Sequence, residues 1–143
     1  MRVYYDSSAL VKLLVDEPGS QWTRDCWKEL PGHCSSRLAY VETRAALARA
    51  KSANRLSVLA YRQLIGDFES LWRRLELVEA DSAVVNIAGA LAEEFGLRGY
   101  DAVHLSSALF LDETRETVML TWDSNLADAT AGAGIPVIRT TDA

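Results

Sequence analysis

The sequence predicts an α/β fold, a short parallel sheet flanked by helices on both faces. Three observations carry that expectation. Short apolar runs at Val3-Tyr4-Tyr5, Leu75–Ala80 and Thr117–Trp122 read as strands, and each is separated from the next by helical stretches. The best two of these runs end alike, in Asp, then Ser, then a new helix. No repeat, low-complexity stretch or linker interrupts the 143 residues, so 1–143 reads as one domain large enough for a real core.

The elements follow in order. Val3, Tyr4 and Tyr5 suit a buried strand, Asp6 stops it, and Ser7 or Ser8 can cap the helix that runs through Leu14. Asp16-Glu17-Pro18-Gly19 breaks the pattern, and Ser20 can cap a second helix through Leu30 whose Trp22, Cys26 and Leu30 share a face. His33–Ser36 is a short, weak strand. A helix from Arg37 to Ala50 follows, and Ser57 caps another to about Leu75. Leu75–Ala80 alternates as a third strand, and Asp81 or Ser82 opens a helix that Gly96 ends after Phe95. Asp101 stands near the start of a helix reaching Leu111, where it can serve as an N-cap. After Thr117–Trp122, Asp123-Ser124 restarts helix, and Ile135–Ile138 is a last strand that Pro136 confines to an edge.

Composition narrows the class. An apolar share of 49% and a charged share of 24% suit a water-soluble globular protein, and no apolar stretch reaches the ~20 residues that span a bilayer. The first residues show no signal-peptide pattern, and Cys26 and Cys34 lack disulfide-scaffold or metal-ligand spacing, so a cytoplasmic protein with reduced thiols is expected. The net charge of −5 argues against a generally basic nucleic-acid binder. Yet residues 37–74 carry eight basic groups (Arg37, Arg44, Arg49, Lys51, Arg55, Arg62, Arg73, Arg74) against Glu42, Asp67 and Glu69, a balance of +5 beside −10 elsewhere. That asymmetry can steer a polyanion, or it can belong to solvated helix faces.

The chemistry rests on four acids. Asp6 and Asp123 repeat one setting, and parallel central strands bring both to the same sheet edge. Glu42 has Leu38, Ala45 and Ala46 at helical spacing, so it sits on an apolar stripe and needs a positive or protonated partner; Arg49 on the same side is one. Asp101 is the fourth. Two carboxylates ~5 Å apart repel by roughly 3 kcal/mol, so four drawn together rival the ~5–15 kcal/mol stability of a domain unless they hold protons or a cation. Oxygen ligands without His or Cys favour a hard ion such as Mg²⁺ or Mn²⁺, which suits phosphodiester hydrolysis.

Asp6–Leu13, the turn Glu17–Ser20, Arg98–Leu105 and Leu120–Asp123 together resemble the PIN domain, and most nearly the VapC toxins of toxin–antitoxin pairs. The resemblance covers essentially the whole chain. It implies a PIN-like, Rossmann-like fold and a Mg²⁺-dependent endoribonuclease (Mn²⁺ substituting) that is a homodimer inhibited by a VapB-type antitoxin. It further implies Asp6, Asp101 and Asp123 as metal ligands, the last directly or through water. Glu42 would orient water or act as a base, and Ser7 and Thr121 would line the pocket. Asn125 can face the pocket or solvent.

Other residues and readings are weaker. His104, one turn beyond Asp101, reads as a helix histidine hydrogen-bonded nearby, because carboxylate–metal chemistry needs no imidazole. His33 gets no role, and Trp22, Trp27 and Trp72 read as core or partner packing. A phosphoacceptor receiver expects a Lys near the last strand, but the lysines are 12, 28 and 51. An aspartate-nucleophile phosphatase expects Asp at position 8, which is Ser. A catalytically inactive PIN-like interaction module, or a PIN nuclease outside toxin–antitoxin systems, remains the alternative.

Overall fold

The structure, a computed structural model, describes residues 1–114 and 116–139. The elements are β1 (Arg2–Tyr5), α1 (Ser7–Leu14), α2 (Ser20–Glu29), β2 (His33–Ser36), α3 (Ala39–Ala53), α4 (Val58–Trp72) and β3 (Glu76–Val78), followed by α5 (Ser82–Phe95), α6 (Gly99–Leu111), a 3₁₀ turn at Asp112–Thr114, β4 (Thr117–Leu120), α7 (Ser124–Gly132) and β5 (Val137–Ile138). The strands form one sheet in the order β3-β2-β1-β4-β5, and every pairing is parallel. β5 is an edge strand, as Pro136 requires. No helix among the described residues is long and apolar enough to cross a membrane.

Period-two alternation divides the core. Val3 and Tyr5 face one side, packing with Ala9, Leu10, Trp27, Ala39 and Leu120, under α1–α4. Tyr4 faces the other, with Cys34, Val78, Met119 and the buried faces of α5, α6 and α7. Trp27 is therefore core, stacked on His33 at 3.6 Å between ring centroids. Both cysteines are free.

Strand β2 was faint in the sequence because its residues are small and polar. Its hydroxyls are answered by the neighbouring strand: Ser35 Oγ donates to the Tyr5 carbonyl at 2.6 Å. Buried polar side chains are tolerated once so paired.

Three helix starts differ from expectation. Asp6 itself caps α1, its Oδ1 accepting from Ala9 N–H at 3.0 Å, so neither Ser7 nor Ser8 is the cap. Gly19, not Ser20, precedes α2, at φ +92°; a Cβ there would lie 2.3 Å from the Trp122 ring. That close approach demands glycine. Asp101 lies inside the first turn of α6, whose N-cap is Arg98.

The topology positions the site. From central β1 the chain builds outward through β2 and β3, then returns to β1's other side with β4. The switch point lies between β1 and β4, where open α/β sheets leave a crevice at the strands' carboxyl ends. Tyr5 pairs with Leu120 in register, so the residues that follow, Asp6 and Thr121, emerge side by side.

Candidate active site

Asp6 and Asp123 each divide their two oxygens between fold and crevice. Oδ1 of Asp6 caps α1, and Oδ1 of Asp123 caps α7 by accepting from Leu126 N–H at 3.0 Å. Oδ2 of Asp6 accepts from the Thr121 hydroxyl at 2.7 Å, while Oδ2 of Asp123 accepts from Arg98 Nη2 at 3.3 Å. The repeated strand–Asp–Ser–helix pattern thus yields two carboxylates with fixed directions. Asp6 is buried, at 3% exposure. Burial raises its pKa, opposed by the charge of His104 and by hydrogen bonds from Ser8, Thr121 and Ala9.

Ser8 ties the two loops together. Its hydroxyl donates to Asp6 Oδ1 at 2.7 Å and accepts from Trp122 N–H at 2.9 Å. Thr121 Oγ1 in turn accepts from Asp123 N–H at 3.1 Å, so the hydroxyl expected to line the pocket bridges both acid-bearing loops. Behind them the Trp122 indole is locked, donating to Thr23 Oγ1 at 3.1 Å with Lys12 4.9 Å over its ring. A cleft of about 310 Å³ opens beside Thr121 and Asp123, walled by Trp22, Trp122 and Ile138.

Glu42 has a partner, but not the expected one. Its Oε1 meets His104 Nε2 at 2.6 Å, not Arg49, and its Oε2 accepts from Ser7 Oγ at 3.3 Å. His104 is 1% exposed, and its Nδ1 lies 2.7 Å from the Tyr4 hydroxyl. Burial alone would lower the imidazole pKa. The hydrogen bond and charge of Glu42, with the charges of Asp6 and Asp101, outweigh burial and hold it above its ordinary value. His104 therefore belongs to the acid site. Its place one helical turn past Asp101 was visible in the sequence, whereas its contact with a residue 62 positions away was not.

The remaining acids meet at the rim. Arg98 donates from Nε to Asp101 Oδ2 at 3.2 Å and from Nη2 to Asp123 Oδ2 at 3.3 Å, bridging the two carboxylates with a guanidinium that is 82% exposed. Burial, then the nearby Asp123 charge, raises the Asp101 pKa against the pull of Arg98. The i,i+3 spacing of Arg98 and Asp101 is the local sequence signal for this pair. Asn125 is exposed and lines a separate hollow with Phe95 and Asp128, so it faces away from the acids.

These positions bear on a metal. Among the described residues no three His, Cys, Asp or Glu side chains are grouped so as to hold an ion by themselves. The acids instead form a rim pair already accepting one cationic group, with Asp6 buried behind it. An all-oxygen pair that gathers around a cation fits a hard divalent ion, which takes one or two carboxylates and fills its shell with water.

A parallel sheet with strand-end acids at its switch point belongs to the class of open α/β folds that bind ligands in that crevice, and the PIN domain family profile matches residues 3–132. The chain belongs to that family, among its VapC ribonucleases. It is 41% identical over 135 residues to Ribonuclease VapC49 of Mycobacterium tuberculosis H37Rv, covering 94% of this chain and 93% of the relative. The fold is shared with FitAcB from Neisseria gonorrhoeae (TM-score 0.70, 15% identity, 96% of each chain). It is shared also with VapBC-1 from nontypeable Haemophilus influenzae (TM-score 0.60, 18% identity, 96% of this chain and 97% of that one). PIN nucleases of the VapC type are generally divalent-metal dependent.

Proposed function

We propose that the chain is a Mg²⁺-dependent endoribonuclease, the toxin of a toxin–antitoxin pair, working in the cytoplasm. The observation that carries this reading is the convergence of Asp101 and Asp123 on one cationic group at the mouth of the switch-point crevice. Asp101 and Asp123 would hold the ion, with Asp6 facing it from the sheet edge. The ion would activate water and offset charge on the scissile phosphate. Glu42, held by His104 and Ser7, would accept the proton of the attacking water. Thr121 and Ser8 fix the direction of the Asp6 carboxylate, and their hydrogen bonds oppose the burial that raises its pKa.

Substrate and partners follow from surface chemistry. Arg37 and Arg44 are answered by Glu79 and Glu69, and Arg74 lies over the Trp27 ring, so part of the basic segment serves the fold. Arg49, Arg55, Arg62 and Arg73 pair with no carboxylate among the described residues, which supports steering of RNA. The named relatives are ribonucleases, and a chain of the same fold (TM-score 0.62, 17% identity) stands in a toxin–antitoxin complex from Klebsiella pneumoniae, which supports a VapB-type inhibitor here. Exposed Val85, Tyr100 and Phe110 on α5 and α6 support a second protein surface, that of a homodimer.

The test is expression of wild type, Asp6→Ala and Asp101→Ala, with growth and RNA ends followed together. Wild type should arrest growth and leave new RNA ends, and both variants should do neither while melting as folded proteins. Full activity in both variants overturns the proposal. A folded wild-type chain that binds its partner but neither Mg²⁺ nor Mn²⁺ is the inactive interaction module instead.

A further inference from the structure

A buried hydrogen-bonded chain runs from the sheet to the site. Tyr4 on β1 is fully buried, His104 on α6 is 1% exposed, and Glu42 on α3 is the member nearest solvent, with its side chain 19% exposed. The links measure 2.7 Å from the Tyr4 hydroxyl to His104 Nδ1 and 2.6 Å from His104 Nε2 to Glu42 Oε1. Both ring nitrogens are engaged, so the imidazole can neither flip nor tilt without losing a bond. The Tyr4 ring also packs edge-on against the imidazole, 5.8 Å between centroids.

Packing alone does not call for these groups. Tyr4 lies among Cys34, Ala102, Leu105, Ala108 and Met119, and His104 is buried against it, where aliphatic side chains would fill the space with no polar atoms to satisfy. Polar groups placed there are costly unless each is paired, and the whole chain is directed at one carboxylate. Its effect on Glu42 is asymmetric. Oε1 is committed to the imidazole at 2.6 Å, while Oε2 carries only the longer 3.3 Å contact from Ser7.

We propose that His104, anchored by Tyr4, is the positioning residue that clamps Oε1 of Glu42, so that Oε2 alone receives the proton of the attacking water. The imidazole touches neither RNA nor ion. It acts by fixing a carboxylate on a helix that would otherwise choose among rotamers, its buried Nε2 held on Oε1. This inference rests on the nuclease reading above.

The experiment measures kcat and KM for RNA cleavage across pH in His104→Leu, His104→Gln and Tyr4→Phe, beside thermal melts and Mn²⁺ binding of the same preparations. His104→Leu should lower kcat roughly 10–100-fold, the range found when a group orienting a site ligand is removed, with KM and Mn²⁺ affinity near wild type. His104→Gln, whose amide can still donate to Oε1, should recover much of the loss. Tyr4→Phe, which removes one oxygen and folds even where His104→Leu does not, should fall between. In the Glu42→Gln background, His104→Leu should cost nothing further. An unchanged kcat in a folded His104→Leu or Tyr4→Phe, or losses additive with Glu42→Gln, overturns the inference. A wild-type chain without Mg²⁺-dependent cleavage fails the nuclease reading instead.

Discussion

The acid site has two halves built on opposite rules. The interior half, Asp6 with Ser8 and Thr121 and Glu42 with His104 and Tyr4, is buried and closed by hydrogen bonds within the chain. The rim half, Asp101 and Asp123, is held by Arg98, a flexible side chain 82% exposed to water. Inside, each carboxylate has fixed hydrogen-bond donors in a poorly solvated setting. At the rim the counter-charge is loosely held and exchangeable. A nuclease needs both: fixed groups to aim water, and a site where a cation can enter and leave.

Changes that remove interior charge while sparing the cap should cost most activity. Asp6→Asn keeps an oxygen for Ala9 N–H, so α1 should stay formed, while RNA cleavage should drop by about 10²–10⁴-fold; a melt and a cleavage assay on one sample check both halves of that statement.

The buried pair gives the next largest effect, on stability. Glu42→Leu alone strands His104 and should cost roughly 3–5 kcal/mol, whereas Glu42→Leu with His104→Leu should recover most of it. Denaturant melts of the single and double variants decide this, and a double variant as unstable as the single would break the contrast.

The pH response of the metal-free protein separates the halves further. His104 has a folded-state pKa raised above its ordinary value of about 6.5, so its stabilisation is complete below about pH 6.5 and fades as pH rises through the raised folded value. Melting temperature should therefore fall from pH 6 upward in wild type, and less steeply in His104→Leu. Thr121→Val leaves Asp6 Oδ2 without its donor and should cost about 1–3 kcal/mol. Arg98→Ala, at the exposed rim, should change stability by less than about 1 kcal/mol. It should nonetheless tighten divalent-ion binding, because the competing guanidinium is gone; calorimetry reads that sign.

The same division governs what the sequence disclosed. Strand–helix alternation, the repeated Asp-Ser ends of β1 and β4, and Glu42 on an apolar stripe are local patterns, and they marked the sheet, Asp6, Asp123 and Glu42, whereas Asp101 joined them through the family resemblance. Partnerships across the fold were not local. Glu42 required a positive neighbour, but choosing His104 over Arg49 depends on how α3 packs against α6. The Arg98 bridge to Asp123 depends on α6 ending its approach beside β4. Ser8 was read as a helix cap because its second contact, Trp122 N–H, lies 114 residues away. Asp6 took the capping role because it directly precedes the helix and can spare one oxygen.

The proposed exchange of Arg98 for a divalent ion at the rim carboxylates can be read directly. Mn²⁺ is titrated into metal-free wild type and Asp101→Asn, with bound ion followed by paramagnetic resonance and RNA cleavage on the same samples. Wild type should bind the ion and gain cleavage in parallel, and Asp101→Asn should lose both while remaining folded. Cleavage by Asp101→Asn at wild-type rate, or by wild type in excess chelator, would contradict it.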